Sequence, residues 1–129
     1  MSIFKLGEKS KVELLTVRWD LQRVVNRAIK ITGCDFSVIQ GKRTIEQQQA
    51  NIESGVSWTM KSDHLPDDDG EVLAVDIYPW FGGRTSHHPD HYKLLAKAMF
   101  KAAAIEGEVI DWGGFWISQE DKPHWSVEK

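Results

Sequence analysis

The stretch Val72-Leu73-Ala74-Val75-Asp76-Ile77-Tyr78 decides how the rest of the chain is read. Its apolar and β-branched residues predict a central strand. In its middle stands one carboxylate, Asp76. A carboxylate on an apolar strand needs a partner, because burying an unpaired charge is costly. Working outward, Asp35-Phe36-Ser37-Val38-Ile39-Gln40 reads as a second short strand ending at Gly41. Residues 109–112 and 124–127 read as two more.

Helical spacing fills much of the remainder. Over residues 11–32, Leu14, Val17, Leu21, Val24, Val25, Ala28 and Ile31 recur at three- and four-residue steps, which predicts one long helix stopped by Gly33. Ser10-Lys11-Val12-Glu13 has the pattern of a capping box at its start. Thr44-Ile45-Glu46-Gln47 repeats that pattern and opens a minor, polar helix ending near Ser54-Gly55. Pro89 suits a first helical turn. Behind it, Leu94, Leu95, Ala98, Met99, Ala102 and Ile105 predict a second main helix, stopped by Gly107. Residues 56–71 and 79–88 read as loops. The expected fold class is therefore α+β: a small antiparallel sheet packed with two main helices and one minor helix, as a single domain over residues 1–129.

Composition narrows the function without naming it. The chain has 129 residues, with 16 Lys+Arg against 19 Asp+Glu and a net charge of −3. That balance lacks the basic excess of a nucleic-acid binder. No apolar run approaches the roughly 20 residues that cross a bilayer, so membrane insertion is not expected. The opening MSIFKLGEKS has no signal-peptide h-region of about 7–15 apolar residues. One cysteine, Cys34, forms no internal disulfide and reads as a structural thiol before an apolar run.

Two segments carry chemistry. Ser62-Asp63-His64 is followed, across a polar loop, by Ala74-Val75-Asp76, and Asp121-Lys122-Pro123-His124-Trp125 stands near the end of the sequence. Two imidazoles and a carboxylate are a common ligand set for a catalytic Zn²⁺. Such an ion makes water acidic and polarises a carbonyl, but a base must still take the proton. Asp121 is spaced to hold a non-ligating carboxylate beside the metal.

Taken in this order, Ser62-x-His64…Ala74-x-Asp76 with Asp121-x-x-His124-Trp125 resembles the zinc peptidase family of D-Ala-D-Ala carboxypeptidases, dipeptidases and L-alanyl-D-glutamate endopeptidases of phage endolysins. Val38-Ile39-Gln40-Gly41-Lys42-Arg43-Thr44 and the Gln-rich helix after it resemble the family's strand and loop bearing a substrate-contacting arginine. The likeness covers nearly the whole chain and is strongest to the endolysin branch. It implies that His64, Asp76 and His124 hold one Zn²⁺. It further implies that Asp121 is the general base and that Arg43 stabilises the oxyanion or grips a substrate carboxylate. Ser62 is expected to order the His64 loop, and Gln40 to line the cleft. His64 and Asp76 stand further apart than the family's usual pair, which fits an insertion within residues 65–71. Asp67, Asp68 and Asp69 also follow His64, but they have the look of a solvated loop tip.

Other features have plainer readings. Asp67–Asp69 would suit Ca²⁺ as clustered carboxylates, yet they lack the spacing of an EF-hand loop. His87-His88-Pro89-Asp90-His91 reads as a loop entering a helix rather than a rival metal site. Trp112-Gly113-Gly114-Phe115-Trp116 resembles the aromatic, Gly-containing segment before the family's catalytic acid. Trp112 and Trp125 are expected to touch substrate, Trp19 to pack on a helix, and Trp58 and Trp80 to join core or cleft.

By this resemblance the chain is a zinc-dependent endopeptidase acting on bacterial peptidoglycan at the L-alanyl-D-glutamate bond. It is expected to work as a monomer held in the host cytoplasm until released to the wall, with no separate wall-binding domain. The alternatives are a D-Ala-D-Ala carboxypeptidase or dipeptidase, and a non-catalytic module that only binds the wall.

Overall fold

The structure is a computed structural model describing residues 3–55 and 62–128; Trp58 lies outside them. In chain order it comprises α1 (Glu8–Leu14), α2 (Trp19–Ile31), β1 (Asp35–Gln40), α3 (Ile45–Glu53), β2 (Ala74–Phe81), β3 (Arg84–Thr85), α4 (Pro89–Glu106), β4 (Ile110–Trp112) and β5 (His124–Val127). A single 3₁₀ turn, Gly113–Phe115, follows β4. The strands form one antiparallel sheet in the order β1-β2-β5-β4, with β3 paired to β2. The α+β expectation holds.

The long helix expected over residues 11–32 is two helices, so the described residues hold four in all. Its apolar spacing continues across the break, but one local and one nonlocal bond interrupt the backbone there. The Thr16 hydroxyl donates to the Glu13 carbonyl, and the Arg18 N–H donates to the Val72 carbonyl. Nor does Ser10 cap anything. α1 begins at Glu8 after Gly7, and Ser10 lies buried within it. Its hydroxyl oxygen accepts from the Val38 N–H of β1 at 3.0 Å. Glu13 accepts from the Gly41 N–H at 3.0 Å, and Thr16 from the Lys42 N–H at 2.7 Å. β1 is an edge strand, whose free N–H groups need partners. The apparent capping box supplies them.

The second pattern does cap a helix. Thr44 accepts from the Gln47 N–H, while the Gln47 side chain accepts from the Thr44 N–H. α4 starts with Pro89 in its first turn and ends at Gly107, whose φ of 72° is left-handed. Its inward face carries Tyr92, Leu95, Met99 and Ala102, leaving Leu94 and Ile105 exposed. β2 runs past the expected end at Tyr78 to Phe81. Gly82 and Gly83, both at positive φ, then make the tight turn into β3.

One face of the sheet is the core. Phe36, Val38, Val75, Ile77 and Val127 pack there with Leu21, Val24 and Val25 of α2 and Leu95 and Met99 of α4. α2 and α4 are also joined by charge: Arg23 and Arg27 each donate to the Glu106 carboxylate, at 3.0 and 2.9 Å. With the helices committed to that face, the opposite face is left for chemistry.

Candidate metal centre

Alternation along β2 buries Val75 and Ile77 and turns Asp76 to the other face. Register then gathers the site. Asp76 stands opposite His124 of β5 and opposite Gln40 of β1, across a β-bulge between Val38 and Gln40. Three polar residues from three strands thus lie side by side. His64 reaches them from a loop tied at several points. Its carbonyl accepts from the Arg43 N–H at 2.8 Å, its own N–H donates to the Ser62 hydroxyl at 3.2 Å, and the Asp63 carbonyl accepts from the Leu73 N–H.

His64, Asp76 and His124 each offer a donor atom, all within 4.8 Å of one another. His64 Nδ1 lies 2.8 Å from the Gly41 carbonyl, and its Nε2 lies 3.1 Å from Asp76 Oδ1. A carbonyl only accepts, so in a neutral ring Nδ1 carries the hydrogen and Nε2 presents a lone pair. That lone pair faces a carboxylate oxygen. Two acceptors in contact repel unless a proton or a cation lies between them. His124 Nδ1 is 3.8 Å from the same Oδ1, and the two imidazole rings meet edge to face at 5.3 Å.

Electrostatics favour ligand forms. Burial, then repulsion from His64, lowers His124 to about 4, so it is neutral at pH 7. Burial pushes the Asp76 carboxyl up, but the polar contact with His64, then the electrostatic pull of His64, His124 and Arg43 beside it, outweigh burial and hold the group below its ordinary value. Asp121 is raised to about 6, first by burial and then by the Asp76 charge. Two nearby carboxylates are thereby pushed apart, one ionised and one poised to exchange a proton.

Arg43 is fixed rather than free. Its Nε and Nη2 donate to Gln40 Oε1 at 3.1 and 2.9 Å, and its Nη1 donates to Gln48 Oε1 at 2.6 Å. Nη2 also lies 3.8 Å from Asp76 Oδ2. Gln40 therefore binds the arginine beside the centre. Gln48, fully buried, is a residue that sequence reading missed. The available signal was negative: α3 has no apolar stripe, and Gln48 is its one buried residue.

Glycines set close approaches at three points, one of them Gly114 against the Trp112 ring. A Cβ on Gly41 would strike Thr16 Oγ1 and the Glu13 carbonyl, and one on Gly113 would strike the Asp121 carbonyl. The Gly113 carbonyl accepts from the Asp121 N–H at 3.0 Å, and the Trp112 indole donates to the Lys122 carbonyl at 2.7 Å. These bonds hold the turn that carries Asp121 to His124.

The structure places the tryptophans differently from expectation. Trp125 is 0% exposed and Trp112 only 7%, and they stack on each other at 5.4 Å. They sit on the core side because β5 alternates, turning His124 to the site and Trp125 away. Trp116 instead stands 5.0 Å from the His124 ring, its indole held by Asp111. The remaining candidates stay apart. Asp67 Oδ1 accepts from the N–H groups of Asp69 and Glu71, closing a turn at Gly70. His88 caps α4, and His91 stacks on Phe81 at 3.6 Å. Cys34 is buried, which pushes its thiol up.

A sequence model described as phage L-alanyl-D-glutamate peptidase matches residues 1–127. The L-alanyl-D-glutamate peptidase of Escherichia phage T5 is 32% identical over 122 residues, covering 92% of this chain and 85% of that protein. That of Listeria phage A118 is 34% identical over 94 residues, covering 71% of this chain but 30% of the longer relative. The crystal structure of Serratia marcescens L-Ala D-Glu endopeptidase ChiX matches with a TM-score of 0.87 at 31% identity, covering 98% of this chain and 91% of that one. The chain belongs to the phage L-alanyl-D-glutamate peptidase family.

Proposed function

We propose that this protein is a zinc-dependent peptidoglycan endopeptidase, hydrolysing the L-alanyl-D-glutamate bond of the murein stem peptide for host lysis. The observation that carries the reading is the convergence of His64 Nε2 and His124 Nδ1 on one oxygen of Asp76, with Arg43 beside it. Two imidazoles and a carboxylate suit Zn²⁺, whose bond lengths of about 2.0–2.2 Å set tetrahedral donors about 3.3 Å apart. The observed 3.1 and 3.8 Å separations bracket that value. When bound, the ion supplies charge that polarises a carbonyl and acidifies water.

The chain's own residues do the rest. Asp121 takes the proton of the attacking water and delivers it to the leaving amine. Arg43, already anchored by Gln40 and Gln48, stabilises negative charge on the tetrahedral oxygen without reorganising. The Gly41 carbonyl holds the His64 ring in the tautomer a ligand needs, and the Ser62 hydroxyl fixes its backbone. Trp116 replaces Trp112 and Trp125 as the aromatic wall. On this reading the enzyme acts as a monomer on peptidoglycan, accumulating in the host until it reaches the wall.

Metal analysis with murein turnover tests this. The purified protein is expected to carry one zinc per chain. His124→Ala should lose both metal and activity, whereas Asp121→Asn should keep the metal and lose activity by about 10²–10⁴-fold. Full activity in protein shown to hold no zinc would overturn the mechanism.

A further inference from the structure

Beyond Asp76, the same face of β2 carries Tyr78 and then Trp80. By register Tyr78 neighbours Ser37, and Trp80 neighbours Asp35 on β1. Tyr78 is half-buried, and the exposed His87 ring packs edge-on against it at 5.2 Å. Trp80 is 36% exposed. Neither the Tyr78 hydroxyl nor the Trp80 indole N–H makes a hydrogen bond among the described residues. The metal centre and catalytic acid use none of these side chains. They form a strip of aromatic rings with unused polar tips, bordered by a hydroxyl and a carboxylate.

That combination suits a pyranose. A sugar ring offers an apolar C–H face to an aromatic ring and hydroxyl and amide groups to the polar atoms around it. We propose that Tyr78 and Trp80, flanked by Ser37, Asp35 and His87, form a subsite for the N-acetylmuramyl ring that bears the scissile peptide. This rests on the bond assignment proposed above. Distances agree with it. At about 3.3 Å per residue, Tyr78 and Trp80 lie about 7 and 13 Å along the strand from Asp76. In murein the L-alanine before the scissile bond joins the sugar through a lactyl group. The ring therefore begins about two residue lengths, or 7 Å, from the scissile carbonyl. Charge fixes the direction. The D-glutamate side of the bond bears carboxylates, which Arg43 attracts; Arg43 follows Gln40, at the end of β1 away from the strip, whereas Asp35 borders the strip itself.

Two substrates separate the subsite from the chemistry: a muramyl peptide, and the same peptide with an acetyl group in place of the sugar. The wild type is expected to favour the muramyl substrate by about tenfold in kcat/KM, a difference of about 1.4 kcal/mol. Trp80→Ala should abolish that preference while leaving the sugar-free rate unchanged, and Tyr78→Phe should reduce it in part. Equal losses on both substrates, or no loss on either, would overturn the subsite. A binding measurement keeps the test independent of turnover. N-acetylmuramyl-L-alanine should shift the Trp80 indole N–H resonance, and N-acetyl-L-alanine should not; no shift from the sugar compound would also overturn it. If the wild type releases products whose new N-terminus is not D-glutamate, the bond assignment fails, and the subsite falls with it. A correct N-terminus without sugar preference defeats the subsite alone.

Discussion

The Gly41 carbonyl takes the hydrogen on His64 Nδ1, and that leaves Nε2, which faces Asp76, as the nitrogen able to bind. Arg43 is held with comparable economy, since two glutamine oxygens take three of its N–H groups. Arg43→Lys preserves the charge but lacks the planar fork that these partners require. Its kcat on murein should fall by about 10²–10³-fold, as for loss of an oxyanion donor. An unchanged kcat would remove Arg43 from the reaction. Gln48→Leu should cost about 1.5–3 kcal/mol of stability, because it strips a buried partner from a charged group. It should lower kcat in the same preparation. A stable Gln48→Leu protein with full activity would show that Arg43 needs no anchor. Both effects are read from denaturation midpoints and steady-state rates on murein.

Between elements, the decisive contacts are those of α1 with the free edge of β1. Ser10→Ala should destabilise by about 1–3 kcal/mol, the cost of leaving the Val38 N–H unmet; a loss no greater than an exposed substitution would mean water replaces the hydroxyl. The α2–α4 junction adds a pH term. Hydrogen bonds from Arg27, then Arg23, hold Glu106 below its ordinary value of 4.5. A depressed folded value means the stabilisation is present above pH 4.5 and is lost as pH falls through the folded value. Thermal melts below pH 4.5 should therefore drop more for wild type than for Glu106→Gln, and parallel curves would refute this. Elements with strong local signals were legible in the sequence. Thr44 with Gln47 marked α3, Pro89 and Gly107 bounded α4, and β5 spans His124–Val127 as expected. The break between α1 and α2 was not legible, because it is made by a bond from Arg18 to Val72, far off in sequence. Ser10 and Glu13 misled for the same reason. The proposed ligands could be named from motifs, but the alignment of Gln40 with Asp76 depends on a bulge in β1 with no sequence signature. Trp125 was placed by adjacency to His124 and Trp112 by the resemblance of residues 112–116 to the family's aromatic segment, whereas strand alternation turns both inward.

For the whole molecule, a metal that binds only the folded chain must stabilise all of it. At free metal a hundred times the dissociation constant, the gain is about 2.7 kcal/mol. A chelator should accordingly lower the melting temperature of the wild type and leave that of His124→Ala unmoved; equal responses would place the metal elsewhere. The sheet divides the molecule's labour, with one face packed against α2 and α4 and the other carrying His64, Asp76, His124 and Arg43. The central claim is that this second face cuts one particular bond. The most direct test is digestion of purified murein by the zinc-loaded protein, with mass spectrometric identification of the new amino terminus. The account predicts D-glutamate at that terminus and no released D-alanine. Release of D-alanine with the L-alanyl-D-glutamate bond intact would contradict it.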